Sequence, residues 1–168
     1  RASDDLWLSG ALGRSWLAWQ SLEKQVSWPE MKELRRRYLD PTPRFDIIEK
    51  GIPEGSGCMD ISDGLARDAH RMARAAQLVL VFDTEKLKSP LVKQLCQRMK
   101  VDPDRIVYSS GDEYELLFSI PTKWRESMKT LGLQLVGQTE ALAGRKPQVM
   151  DSKGQAIPQN WAFDHFSK

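Results

Sequence analysis

Leu78-Val79-Leu80-Val81-Phe82 is an unbroken apolar run flanked by Gln77 and Asp83. It is too short for a buried helix and lacks the alternation of a half-exposed strand, so it predicts a strand covered on both faces. That strand constrains the whole chain, because a sheet buried on two sides needs helices above and below it. The segment just before it supplies one. Leu65, Ala69, Met72, Ala73 and Ala76 recur at i, i+4, i+7, i+8 and i+11, the spacing of a single helix face.

The remaining elements follow from local signals. Leu6–Ser9, Cys58–Ile61, 114–120, Leu133–Val136 and Pro147–Met150 have strand length and composition, and Asp151-Ser152-Lys153-Gly154 reads as a hairpin turn. In 114–120, Tyr114, Leu116, Phe118 and Ile120 alternate with Glu115, Leu117 and Ser119. Gly10 and Gly13 lead into a helix with Trp16, Leu17 and Leu22 on its apolar side. Ser27 and Glu30 are spaced as a capping box for a helix that places Met31, Leu34 and Tyr38 inward and Arg35-Arg36-Arg37 on a solvated face. Asp40-Pro41-Thr42-Pro43 ends it, and a short helix through Phe45, Ile47 and Ile48 follows. Ser89-Pro90 starts another helix, with Leu91, Val92, Leu95, Cys96 and Met99 inward. Thr122 is placed to cap one carrying Trp124, Met128 and Leu131, ended by Gly132. Strands and helices intermix, so the expected class is α+β, in α/β/α layers around a mixed β-sheet, with residues 1–168 as one domain.

A chain of 168 residues, 40% hydrophobic and 29% charged, can bury a core without disulfides or a structural metal. Net charge +2 gives no basis for a nucleic acid partner, and the longest apolar run is far short of the ~20 residues of a membrane span. Cys58 and Cys96 lie in apolar stretches without C-x-x-C spacing, which reads as two buried thiols in a reducing, cytoplasmic setting. His70 reads as an exposed helix residue, and His165 as a tail contact. The start at Arg1, close to a strand, suggests a domain cut from a longer protein.

Asp60-Ile61-Ser62-Asp63-Gly64-Leu65 puts two carboxylates and a hydroxyl where a strand ends and a helix begins. Hard oxygen ligands beside free helix N-terminal amides suit magnesium and phosphate. The simpler reading is that Ser62 or Asp63 only caps the helix, which leaves Asp60 unexplained.

Four landmarks occur in chain order: Leu39-Asp40-Pro41-Thr42-Pro43-Arg44, Met59-Asp60-Ile61-Ser62-Asp63-Gly64-Leu65, Gly111-Asp112-Glu113-Tyr114-Glu115-Leu116-Leu117, and Phe163-Asp164-His165-Phe166. With these, nearly the whole chain resembles the C-terminal domain of the thiamine-monophosphate kinases, in the superfamily of aminoimidazole-ribonucleotide synthetase. The resemblance implies transfer of the γ-phosphoryl group of ATP to thiamine monophosphate, with Mg2+, in a cleft between two domains. It implies Asp60 and Asp63 as metal ligands, Ser62 as an ATP contact, and Phe163 against the thiamine rings. It implies no protein residue as a general base. The family commonly reads G-G-E-D-Y-E-L-L where this chain has Ser110-Gly111-Asp112-Glu113. Asp112 thus inherits the substrate contact by position and Glu113 by side-chain type. A second departure is Ala162, where a glycine commonly precedes the tail aromatic. The resemblance further implies an N-terminal domain of the same enzyme, absent from these residues, and a homodimer for the full-length protein. Alternatives are another synthetase of the superfamily, of selenophosphate or aminoimidazole-ribonucleotide type, and a non-catalytic module that binds thiamine phosphate or nucleotide.

Overall fold

A computed structural model describes residues 1–161. In chain order the elements are β1 (Asp5–Leu8), α1 (Arg14–Glu23), α2 (Met31–Leu39), α3 (Phe45–Ile48), β2 (Gly57–Ile61), α4 (Leu65–Ala76), β3 (Val79–Phe82), α5 (Thr84–Leu87), α6 (Pro90–Met99), α7 (Pro103–Ser109), β4 (Glu115–Ile120), α8 (Arg125–Thr130), β5 (Gln134–Glu140) and β6 (Gln148–Asp151). The strands form one sheet in the order β2-β4-β1-β5-β3-β6. β3 and β6 run parallel, and the other neighbours pair antiparallel, so the sheet is mixed and the class α+β, as expected.

Central β1 shows why helices are needed on both sides. Leu6 and Leu8 point into the larger core with residues of α1, α2, α4, α6 and α7. Trp7, between them, points into a smaller core with Ile47 of α3, Met128 of α8, Phe118 and Ile120. The alternation in β4 likewise divides two buried sides rather than core from solvent, since Leu117 joins the larger core and Phe118 the smaller. Val79, Leu80 and Phe82 of the apolar run are buried, and Val81 is half-buried.

Several local expectations are corrected. Ser27 makes no cap: Trp28 and Pro29 form a turn whose carbonyls accept from the Met31 and Lys32 amides, and α2 begins without a side-chain cap. Thr122 opens a short 3-10 turn after Pro121 instead of capping a helix, and Trp124 stays exposed. Leu22 is exposed because Leu17, Ala18 and Ser21 form the inward stripe of α1. The arginine run is not one solvated face. Arg36 pairs with Glu33 at the surface, but Arg35 donates to the Ser21 and Val26 carbonyls at the end of α1, and Arg37 reaches Glu115 in β4. Among the inward residues expected for α6, Val92, Leu95 and Cys96 are buried, and the Ser89 hydroxyl accepts from the Val92 amide as an N-cap. His70 is half-buried, its Nε2 2.8 Å from the Ile157 carbonyl oxygen, so that ring nitrogen carries the donated proton.

Cys96 is buried, but Cys58 is exposed, because β2 is the sheet's edge strand. Burial raises both thiols, and Asp60 adds to the effect at Cys58. A chromogenic disulfide reagent at mildly alkaline pH should therefore titrate one thiol of the native chain, Cys58, and reach Cys96 only on unfolding. Equal rates for the two would contradict this packing.

Candidate functional site

The site is built by two loops that hydrogen-bond to each other. The first follows β2, and its shape is set by Asp68, one turn into α4. The buried Asp68 carboxylate accepts from the amides of Ser62 (3.1 Å) and Asp63 (2.9 Å), while its other oxygen takes Arg71 at 2.8 Å. Burial dominates and raises the Asp68 carboxyl, against the pull of those donors. Neither Ser62 nor Asp63 caps α4; Gly64 occupies the cap position at φ +96°. A Cβ there would also sit 3.0 Å from the Ser109 carbonyl oxygen, so only glycine lets α4 start against the end of α7.

The second loop, 110–114, docks on the first: the Asp112 amide donates to the Ser62 carbonyl at 2.8 Å and the Tyr114 amide to the Ile61 carbonyl at 2.9 Å. Asp112 and Tyr114 both adopt positive φ, near 53° and 51°. The two candidate acids of this loop then part ways. Glu113 points inward beneath α1, where one oxygen accepts from the Ser110 hydroxyl at 2.6 Å and the Ser15 amide at 3.2 Å. Burial pushes its carboxyl up to about 7 despite those donors. Asp112 faces outward, half-buried, in a shallow cleft with Trp16, Trp19 and Tyr38, and accepts a hydrogen bond from the Tyr114 hydroxyl at 3.2 Å.

Beside these loops lies a basin of about 350 Å³, lined by Pro41, Pro43, Arg44, Phe45, Ile48, Asp60, Tyr114 and Leu116. Three of the four sequence landmarks therefore converge on one place. Asp60 is exposed at its wall. Asp63 is half-buried and held by Arg71 at 2.7 Å, with Arg67 at 3.9 Å. No group of three or more metal-ligating side chains is assembled among the described residues. Two carboxylates still fit the chemistry of magnesium, which commonly takes one or two protein carboxylates and completes its octahedron with water and phosphate oxygens. Phe163, Asp164, His165 and Phe166 lie outside the described residues. Trp161 packs edge-on to Tyr108, centroids 6.1 Å apart, and Arg105 covers its ring, as suits a plug.

Two residues of this region escaped the sequence reading. Asp68 follows Asp63 by five residues on the buried side of α4, a position that marks a carboxylate folding back onto its own helix start. Glu115 is fully buried and accepts from Ser9, Arg14, Arg37 and Arg44. Nothing local signals that role.

No family model matches the chain. A search of known proteins finds the thiamine-monophosphate kinase of Aquifex aeolicus, 31% identical over 152 residues, covering 87% of this chain and 50% of that protein. The chain is related to the thiamine-monophosphate kinases. The Leptospira interrogans enzyme of that name is 28% identical over 168 residues, covering 97% of this chain and 52% of its own length. The solved Aquifex aeolicus thiamine monophosphate kinase superposes with a TM-score of 0.79 at 30% identity over 94% of this chain and 52% of that one. A structure described as AaThiL complexed with AMPPCP and TMP gives 0.82 at 29% identity over 99% of this chain and 52% of that one. The hydrogenase maturation protein HypE shares the fold alone, at 17% identity and a TM-score of 0.69. This chain thus spans about half the length of the kinases it matches. No helix among the described residues is long and apolar enough to cross a membrane.

Proposed function

We propose that the chain is the C-terminal half of a cytoplasmic, homodimeric kinase that transfers the γ-phosphoryl group of ATP to thiamine monophosphate with Mg2+. The observation that carries this reading is the pairing of the Ser62 and Asp112 loops beside the Asp60 basin, in a chain whose relatives bear that name and whose structural neighbour holds AMPPCP and TMP. Asp60 and Asp63 would hold magnesium, which supplies charge neutralisation between the two phosphates. Binding it requires Asp63 to give up Arg71, a rearrangement within reach of a half-buried carboxylate. Ser62 would meet the nucleotide, and Phe163 the thiamine rings. The phosphate monoester of the acceptor has a second pKa near 6, so it reaches neutral pH mostly as the nucleophilic dianion. A general base is therefore unnecessary, and the protein's work is positioning.

Of the two acids in the second loop, Asp112 is the substrate contact. Glu113 is the buried member of the pair, with one of its oxygens accepting from both Ser110 and Ser15. In the enzyme completed by its N-terminal half, Asp112→Asn should raise the KM for thiamine monophosphate about tenfold with an unchanged melting temperature, as loss of one charge-assisted contact demands. Glu113→Gln should instead move stability and leave KM near wild type. The reverse assignment of effects would exchange the two roles. The parent test is turnover of ATP and thiamine monophosphate by the completed enzyme and its loss, with the fold retained, in Asp63→Asn. The 168 residues alone should give none. Failure of the completed enzyme to form thiamine diphosphate would end the kinase reading.

A further inference from the structure

A second basin, of about 670 Å³, shares Pro43, Arg44 and Phe45 with the first and opens over Ser9, Gly10, Arg14, Arg37, Thr42 and Glu115. Three arginines and three acids line it, but they are paired unevenly. Glu115 is fully buried, and its Oε1 is shared by Arg14 at 2.6 Å and Arg37 at 2.9 Å, while Oε2 takes Arg44 at 2.5 Å and the Ser9 hydroxyl at 2.6 Å. Arg44 has a second carboxylate, Asp46, at 2.9 and 3.1 Å. Arg14 and Arg37 have only the one oxygen between them among the described side chains. Exposed Glu49 is the remaining acid on the basin wall. From this geometry we infer that Arg14 and Arg37, with Arg44 and the Thr42 hydroxyl, form a binding site for small phosphate-bearing anions.

Three features favour an anion over a merely structural knot. First, the guanidiniums are held in place: Arg14 Nε donates to the Ala11 carbonyl at 2.9 Å and Arg44 Nη1 to the Ser9 carbonyl at 2.6 Å. Their remaining donors are thus oriented before a ligand arrives, which lowers the ordering cost of binding. Second, Arg37 spends one Nη on Glu115, and a guanidinium carries five N–H donors suited to the forked geometry of phosphate oxygens. Third, like charge is close at hand: burial, then Arg37, lowers the Arg14 pKa, against Glu115 and Glu113, which raise it. A dianion placed between Arg14 and Arg37 relieves that repulsion, whereas a neutral ligand does not. The inference makes no use of the kinase reading and survives its failure.

The test is titration of the 168-residue chain with inorganic pyrophosphate, without magnesium, followed by amide and arginine side-chain NMR signals, with inorganic phosphate and sulfate as further arms. Saturable shifts are expected at Ser9, Gly10, Thr42 and the side chains of Arg14 and Arg37, weakening as salt is raised. Pyrophosphate should bind more tightly than either monomeric anion if the site takes a diphosphate, and equally if it takes one phosphate group. Arg37→Met should lower the affinity about tenfold or more, as loss of charge-assisted hydrogen bonds requires. Arg36→Met, which removes only the surface pair with Glu33, should leave it unchanged. If Arg37→Met loses its dispersed spectrum, Arg37→Lys replaces it, keeping the charge, losing the fork and binding several-fold more weakly. Shifts confined to Ser62–Leu65, no saturation, or equal affinity in Arg37 and Arg36 variants would overturn the proposal.

Discussion

Glu115→Ala should destabilise the chain by about 3 kcal/mol, the lower end of what breaking a buried ion pair costs. The lower end applies because the three arginine side chains keep 18–39% exposure and can turn partly into water once the carboxylate is gone, while Glu115 itself has none. The residue ties β4 to the start of α1 through Arg14, to α2 through Arg37 and to the Pro41–Arg44 turn through Arg44. Its removal therefore loosens the walls of both basins as well as the core. Gly10 belongs to the same arrangement, since a Cβ there would lie 2.3 Å from Glu115 Oε1. Glu115→Gln, which keeps the volume and one acceptor, should cost less than Ala. Urea unfolding of the three proteins measures this, and 1 M salt should recover part of the loss by screening the arginines from one another. A cost below about 1 kcal/mol in Glu115→Ala would mean that the arginines are held by something else.

Much of the fold could be read from short-range pattern, and the reasons are specific. Leu78–Phe82 announces a two-sided strand by composition, the α4 periodicity is carried by small residues that tolerate close packing, and Ser89-Pro90 starts a helix by chemistry confined to four residues. What failed was of two kinds. Some local signals were outcompeted: the Ser27 and Glu30 spacing is real, but Trp28 and Pro29 take the turn that a cap would need. α7 was passed over although Asp102-Pro103 is a capped start, with the Asp102 side chain accepting from the Asp104 amide. Other features have no local signal, because their partners are remote in sequence. Arg37 looks like its neighbour Arg36 until β4, 78 residues later, brings Glu115 beside it. The site divides the same way. The three landmarks stand out by residue type, whereas their convergence on one basin and the separation of Asp112 from Glu113 do not, the latter depending on which of two adjacent acids the positive φ of Asp112 turns outward.

That separation gives the other large expected effect, a pH dependence of stability carried by Glu113. Its folded pKa, near 7, lies above the unfolded value of about 4.3. The native state therefore keeps a proton that the unfolded chain has already released across that window. Fewer protons bound in the unfolded state mean that stability falls as pH rises from about 4.3 to about 7, by up to roughly 4 kcal/mol, and levels off above it. Asp68, also raised, contributes with the same sign from its own lower starting point. Surface carboxylates held down by ion pairs, such as Glu85 at about 2, act oppositely and in more acid solution. The clean measurement is thus the difference between wild type and Glu113→Gln in urea unfolding at a series of pH values. Glutamine keeps an acceptor for the Ser110 hydroxyl and the Ser15 amide but has nothing to titrate. The variant should match wild type near pH 4 and overtake it as pH rises toward 8. A difference that stays constant across the range would place the Glu113 carboxyl in contact with solvent and return it to candidacy as the residue that meets the substrate.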